Sequence, residues 1–124
     1  MRVLLVEDSG TMRSIIRRSL KELDVLNVVE ADNGLRALEF FRNGEFDLII
    51  TDWNMPEKDG LEMMKEIRAV NKKIPIVMIT TENGRHRVKE AIQLGVTDYL
   101  IKPFSSEALS QKLELATQLM PLAR

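Results

Sequence analysis

The chain of 124 residues contains no cysteine, which excludes disulfide bonds and thiolate metal sites and fits a reducing compartment. It also lacks an excess of either charge, since 18 Lys and Arg residues face 19 Asp and Glu residues and the net charge is -1. No overall field therefore directs the protein to nucleic acid or to anionic lipid, and its partners must be recognised through specific contacts. Histidine is nearly absent, and the single one, His86, is interpreted as a solvated residue at a helix start.

Long apolar runs and nucleotide-binding loops are missing as well. Met1 and Arg2 lead directly into a short apolar run that ends in Glu7 and Asp8. We therefore expect neither a signal peptide nor a membrane span, and we expect the protein in the cytoplasm. No Walker loop occurs, which argues against ATP as the direct substrate.

What the chain does contain is a fivefold alternation of short apolar runs with helix-length amphipathic stretches. The runs have the composition of buried parallel strands, and the stretches between them carry apolar residues at helical spacing. The predicted strands are Arg2–Val6, Asn27–Ala31, Leu48–Thr51, Ile76–Thr80 and Asp98–Ile101. The apolar stripes of the first two predicted helices include Met12, Ile15, Ile16, Leu20, Leu23, Leu35, Leu38 and Phe41. We predict one domain over residues 1–124 with no output domain attached.

Right-handed crossovers fold such a chain into an α/β structure, a flavodoxin-like (βα)5 doubly wound parallel sheet with strand order 2-1-3-4-5. Ligands of these sheets bind outside the carboxyl ends of the strands, and the switch point of this order lies between the first and third strands. Glu7 and Asp8 follow the first strand and Asp52 follows the third. Thr80 closes the fourth and Lys102 follows the fifth, so five polar groups are predicted on one rim.

The predicted rim has a charge problem that suggests its chemistry. Three nearby carboxylates raise each other's pKa unless cations offset them, and Lys102 supplies one positive charge. A few hard oxygen ligands beside open solvent suit Mg²⁺, which commonly works with phosphate oxygens. A phosphoryl donor is then the natural substrate, and Asp52 can attack phosphorus to become an aspartyl phosphate. Thr80 and Lys102 can each contact a phosphoryl oxygen.

Four stretches that together span nearly the whole chain carry a resemblance to a known family. They are Val6-Glu-Asp-Ser9 with Thr11-Met-Arg13, Thr51-Asp-Trp-Asn-Met-Pro56 with Asp59-Gly60, Met78-Ile-Thr80, and Tyr99-Leu-Ile-Lys-Pro-Phe104. An acidic pair, a lone Asp, a Thr and a Lys-Pro, each at the end of its own strand and in this order, form a very specific pattern. On these residues the chain resembles the receiver domains of two-component response regulators, most closely the stand-alone chemotaxis regulators.

The resemblance implies a role for each residue of the rim. Asp52 would be the phosphoacceptor and Asp8 a direct Mg²⁺ ligand, with Glu7 acting on the metal through water. The backbone carbonyl of Asn54 would complete the coordination, and Asn54 and Glu82 would tune hydrolysis of the aspartyl phosphate. The protein would then be a signalling phosphoacceptor that catalyses its own phosphorylation and dephosphorylation, and not an enzyme with an external product.

The resemblance also implies how the signal leaves the site. Thr80 and Lys102 would follow the new phosphoryl group, and Tyr99 would turn inward when Thr80 moves. The Lys102-Pro103 peptide bond would be cis, as isomerism of this kind is largely confined to X-Pro bonds.

The implied partners are proteins. The donor would be a phosphohistidine on a histidine kinase of the chemotaxis type. The target would be a flagellar motor-switch protein or another docking partner, and a phosphatase is a further candidate. Val88, Ile92 and Tyr99 are the candidates for the docking face of a monomer that binds neither nucleic acid nor membrane.

The chain departs from the family pattern in one residue and in one short stretch. Thr81 follows Thr80 where the family usually keeps a small Ala or Gly, so autodephosphorylation is predicted to be slower. Residues 84–88, Gly-Arg-His-Arg-Val, form a basic stretch unlike the best-known chemotaxis proteins, which leaves the identity of the target open.

Other functions fit parts of the same pattern. A single-domain phosphorelay intermediate, or a receiver domain excised from a larger regulator, would carry the same rim. A flavin mononucleotide electron carrier shares the topology, and Ser9-Gly10-Thr11 vaguely resembles a phosphate loop, but Glu7 and Asp8 would repel a bound phosphate. A haloacid-dehalogenase-like phosphatase would require an Asp-x-Asp sequence after the first strand and a cap domain. A metal-free interaction module is a further alternative.

Overall fold

Five parallel strands form a single sheet in the order β2-β1-β3-β4-β5, with a helix after each strand. The computed structural model describes residues 1–82 and 84–118. The strands are β1 (Arg2–Val6), β2 (Asn27–Ala31), β3 (Leu48–Thr51), β4 (Ile76–Thr80) and β5 (Asp98–Ile101). The helices are α1 (Gly10–Glu22), α2 (Gly34–Arg42), α3 (Gly60–Val70), α4 (Arg85–Gln93) and α5 (Ser106–Gln118). The predicted fold class, strand order and strand bounds are confirmed.

Two hydrophobic cores lie on opposite faces of the sheet because successive side chains of a strand point to opposite sides. In β1, Leu4 and Val6 pack with α2, α3 and α4, whereas Val3 and Leu5 pack with α1 and α5. The central strands are therefore buried on both faces, as their continuous apolar runs indicate. None of the helices in the described ranges has both the length and the apolar character needed to cross a lipid bilayer.

Two residues of the predicted stripes of α1 and α2 are exposed to solvent. Ile15 of α1 and Leu35 of α2 are both exposed, whereas their neighbours Ile16 and Leu38 lie in the cores. Consecutive helical residues are rotated by about 100°, so a helix resting on a sheet buries only a narrow stripe. A hydrophobic side chain at the edge of that stripe faces solvent, and the spacing alone did not reveal it.

Short polar caps start three helices immediately beyond the carboxyl edge of the sheet. The side chains of Ser9, Asn33 and Asp59 accept hydrogen bonds from the N–H groups three residues ahead, at 3.2, 2.9 and 2.9 Å. Each cap satisfies a main-chain donor that would otherwise have no partner in the first helical turn. The caps of α1 and α3 therefore hold both helices close to the strand ends that carry the acidic residues.

The loop from β3 to α3 closes on itself at Gly60. The N–H of Gly60 donates to the carbonyl oxygen of Trp53 at 2.8 Å. A Cβ atom built on Gly60 would lie 1.9 Å from the carbonyl oxygen of Asp52, which no real contact allows. Only glycine permits this approach, so Gly60 fixes the backbone that carries Asp52.

We expect Gly60→Ala to destabilise the protein by about 1–3 kcal/mol, because the new methyl group forces the backbone at Asp52 to move. Gly10→Ala is the matched control. The nearest atom to its added Cβ lies at an ordinary contact distance of 3.6 Å, and alanine favours the helix by up to about 1 kcal/mol. Urea unfolding of both variants measures the difference, and equal stabilities would contradict the role of the close approach.

Candidate functional site

Three carboxylates from two strands meet at the carboxyl edge of the sheet. Ligand oxygens of Glu7, Asp8 and Asp52 all lie within 4.8 Å of one another. β1 and β3 are hydrogen-bonded neighbours, which brings residues more than forty positions apart into one group. Glu7 is 2% exposed and Asp52 is also buried, whereas Asp8 is exposed to solvent.

Lys102, which directly follows β5, links the two buried acids Glu7 and Asp52. Its Nζ donates to Glu7 Oε1 at 2.6 Å and to Asp52 Oδ2 at 2.7 Å. Burial alone would lower the pKa of Lys102, but its hydrogen bonds with Asp52 and Glu7 outweigh that effect and raise the pKa. Burial raises the pKa of Glu7, and the hydrogen bonds from Lys102 and Ser9 oppose this only in part. The ammonium group thus remains charged between two acids that it holds together.

The Asp52 carboxylate is held by main-chain donors on its other side. Oδ1 accepts hydrogen bonds from the N–H of Trp53 at 2.6 Å and of Asn54 at 3.3 Å. Together with Lys102 on Oδ2, these donors fix the orientation of the carboxylate. The loop that supplies the two N–H groups is the one closed at Gly60.

Arg13 contacts the main chain of the acidic pair at Glu7, and no role in the site was predicted for it from the sequence. Its Nη1 donates to the carbonyl oxygen of Glu7 at 2.7 Å, and its Nε donates to Glu30 Oε1 at 3.1 Å. Arg17 pairs with the same Glu30 carboxylate. Arg13 stood within the recognised stretch after Ser9, but nothing in the sequence specified its partners.

Glu82 is the point where three predicted site residues meet. Asn54 Nδ2 donates to Glu82 Oε1 at 3.1 Å, and the Glu82 N–H donates to the buried Oγ1 of Thr80 at 3.3 Å. The Tyr99 hydroxyl donates to the Glu82 carbonyl oxygen at 2.7 Å. Burial, assisted by Glu82 and Asp52, raises the pKa of Tyr99 to about 12, so its hydroxyl stays a donor at neutral pH.

The remaining predicted residues lie on α4, on β5 and in the loops that follow β4 and β5. Val88 and Tyr99 are half-buried, and Ile92 is 59% exposed, so α4 and β5 present apolar surface to solvent. Thr81 is exposed beside Thr80. The Lys102-Pro103 peptide bond is cis, as predicted.

The acidic group has the chemistry of a site for a hard divalent cation. Its donors are carboxylate oxygens, they lie close enough to share one ion, and exposed Asp8 leaves it accessible to solvent. Hard cations with several retained waters prefer such oxygen ligands over nitrogen or sulfur. Glu7, Asp8 and Asp52 could therefore hold a metal.

The fold and this rim are those of a response regulator receiver domain, and the chain matches that family over residues 3–114. The chain belongs to the response regulator receiver domain family. Among curated proteins it is similar to chemotaxis proteins of the CheY type. It is 47% identical to CheY1 of Helicobacter pylori, covering 93% of this chain and 95% of that protein. It is 44% identical to CheY-3 of Vibrio cholerae, covering 92% of this chain and 89% of that protein.

A solved structure supports the same assignment. The chemotaxis response regulator CheY4 of Vibrio cholerae superposes with a TM-score of 0.84 at 35% identity, covering 93% of this chain and 97% of that one. The chain is thus a signalling protein of the two-component type with chemotaxis proteins as relatives, and the flavin carrier and phosphatase alternatives receive no support. The relatives imply a kinase that donates the phosphoryl group and a downstream target.

Replacing Lys102 by methionine should destabilise the protein by about 3–5 kcal/mol without divalent cations, because two buried carboxylates lose their counter-charge. Mg²⁺ should restore part of this loss. Lys112→Met is the matched control, since Lys112 also donates to a carboxylate at 2.7 Å, that of Asp98. The Lys112 side chain is 34% exposed, compared with 13% for Lys102, so its loss should cost below about 1 kcal/mol.

Chemical denaturation of both variants, with and without Mg²⁺, measures these differences. Equal losses in the two variants would contradict a special role for the buried ammonium group.

Proposed function

We propose that the protein is a Mg²⁺-dependent phosphoacceptor switch, in which Asp52 receives a phosphoryl group from a phosphohistidine on a chemotaxis-type kinase. The observation that carries this proposal is the position of the Asp52 carboxylate. It lies at the sheet edge, with one of its oxygens within 4.8 Å of carboxylate oxygens of Glu7 and Asp8, and it accepts a hydrogen bond from the ammonium group of Lys102. Membership of the receiver family supports the same assignment.

Asp8, Asp52 and the backbone carbonyl of Asn54 are the proposed Mg²⁺ ligands, with Glu7 acting through water. When bound, the ion would neutralise charge on the carboxylates and on the phosphoryl oxygens. The presence of three acids and one lysine explains why a cation is needed, since the site carries two uncompensated negative charges when all four groups are ionised.

The chain's own residues position and neutralise the reacting groups. A carboxylate oxygen of Asp52 forms a bond to phosphorus while the P–N bond of the donor breaks, and the electron pair stays on the imidazole nitrogen. Lys102 pairs with a phosphoryl oxygen, and the Thr80 hydroxyl donates to another. In the separate hydrolysis step, the oxygen of a water molecule forms a bond to phosphorus while the bond between phosphorus and the Asp52 oxygen breaks. The water gives up a proton, inorganic phosphate leaves and the carboxylate of Asp52 is regenerated.

In this proposal Asn54, Glu82 and Thr81 set the rate of the hydrolysis. Asn54 and Glu82 are bonded to each other beside Asp52, and Thr81 is exposed next to Thr80. We expect the larger Thr81 side chain to slow the approach of water. The protein would in this way promote both its own phosphorylation and its own dephosphorylation.

The signal would leave the site through Thr80, Tyr99 and α4. When Thr80 moves to the phosphoryl group, the hydrogen bond from the Glu82 N–H to its hydroxyl oxygen is lost. Glu82, whose carbonyl oxygen accepts a hydrogen bond from Tyr99, is then free to shift. The balance of inactive and active conformations moves only as far as the phosphoryl group binds them differently. The proposed target is a flagellar motor-switch protein that docks on Val88, Ile92 and Tyr99.

The phosphoacceptor function is tested with the emission of Trp53, the only tryptophan. Mg²⁺ followed by acetyl phosphate or beryllofluoride should change the emission of the wild-type protein, because Trp53 directly follows the acceptor. Asp8→Asn should weaken the Mg²⁺ response, and Asp52→Asn should abolish the response to the phosphoryl reagents. No response in wild type, or an equal response in Asp52→Asn, would defeat the proposal.

The docking face is tested with a motor-switch peptide and the beryllofluoride-activated protein. Ile92→Glu should weaken binding about tenfold or more, because it places a charge on a central apolar contact. Val70→Glu is the matched control, since Val70 is an exposed apolar residue of α3, outside the proposed face. Calorimetry measures both affinities. If wild type gains no affinity on activation, the phosphorelay alternative replaces the motor switch as target.

A further inference from the structure

We propose that Arg87 is a further positioning residue of the phosphorylation site, which acts on Asp52 through Trp53. The inference rests on the proposed function and extends it to the basic stretch at the start of α4. Arg87 would support the anionic group on Asp52 and would connect that group directly to the helix that carries the docking face.

The contact is a cation–π interaction between α4 and the loop after β3. The guanidinium carbon of Arg87 lies 5.2 Å from the centroid of the Trp53 ring. Trp53 is only 3% exposed because it belongs to the core that packs with α2, α3 and α4, and the guanidinium group of Arg87 lies over its ring. Arg87 itself is exposed, and its Nη1 also lies 3.8 Å from Glu90 Oε1. Its exposed guanidinium group can therefore be removed while the rest of the side chain is kept.

Trp53 passes the contact on to the acceptor. Its main-chain N–H makes the 2.6 Å hydrogen bond to Asp52 Oδ1, so the placement of the ring and the placement of the carboxylate depend on one residue. An arginine that holds the ring also holds this peptide. Loss of Arg87 should loosen the orientation of Asp52 without removing any group that contacts the phosphoryl donor.

The charge of Arg87 acts in the same direction. Burial raises the pKa of the Tyr99 hydroxyl most, the negative charges of Glu82 and Asp52 raise it further, and the positive charge of Arg87 lowers it. Arg87 and Asp52 therefore both lie close enough to Tyr99 to affect it electrostatically. Because a phosphoryl group adds negative charge at Asp52, a cation on this side favours the phosphorylated form.

Linkage makes the effect reciprocal. If Arg87 stabilises the phosphoryl group only while it covers Trp53, then a target that holds α4 in that position also strengthens the phosphoryl group's hold. The contact would give α4 a connection to Asp52 that is independent of Thr80 and Tyr99.

The test compares Arg87→Met, which keeps the stem and removes the charge, with Arg87→Lys, which keeps a cation. Fluorine NMR measures beryllofluoride affinity in the presence of Mg²⁺. Acrylamide quenching of Trp53 in the metal-free protein measures coverage of the ring. Arg87→Met should weaken beryllofluoride binding about two- to fivefold, the usual strength of an exposed cation–π contact, and should increase quenching. Arg87→Lys should recover most of the affinity.

Lys89→Met is the control, because it removes one positive charge from an exposed lysine of the same helix. It should leave affinity and quenching unchanged. Wild-type affinity in Arg87→Met, or an equal loss in Lys89→Met, would overturn the role of Arg87. Failure of wild type to bind beryllofluoride, or equal binding by Asp52→Asn, would instead overturn the proposed function itself.

Discussion

The ammonium group of Lys102 between the carboxylates of Glu7 and Asp52 is the interaction on which the site depends. Two acids so thoroughly buried repel each other, and the raised pKa of Glu7 shows the cost of its burial. The lysine holds them together but can balance only one of the three acids of the site, Glu7, Asp8 and Asp52. The site therefore retains an electrostatic attraction for a divalent cation, as the proposed phosphoacceptor function requires.

The fold supplies this arrangement through the geometry of a parallel sheet. All strands end at the same edge, so polar residues that follow β1, β3 and β5 become neighbours although they are distant along the chain. Helix caps keep the connecting loops short, and the absence of a side chain at Gly60 allows the loop after β3 to close against the main chain of Asp52. Interior packing on both faces of the sheet fixes the strand ends and so preorganises the site.

The strands could be predicted from the sequence because period and burial are properties of short segments. Their order and the acidic rim could be predicted because right-handed crossovers allow few arrangements of five alternating strands and helices. The edges of the helix stripes could not, since the exposure of Ile15 and Leu35 depends on how each helix rests on the sheet. The contacts of long side chains could not be predicted from the sequence either. Arg13 and Arg87 each bridge separate elements, and the basic stretch at 84–88 indicated only that the target surface was unusual.

Glu82 shows how a local chemical event can reach a distant surface in this fold. Its N–H, carbonyl and carboxylate are bonded to Thr80, Tyr99 and Asn54, which come from three different strands or their loops. Any movement of Thr80 toward a group on Asp52 must break one of these bonds, and the other two cannot both keep their geometry if Glu82 then shifts. Because packed interiors deform in discrete steps and not continuously, a small change at Asp52 would favour a new arrangement of Glu82 and its partners. Glu82 would thus be the two-state element that the proposed switch requires.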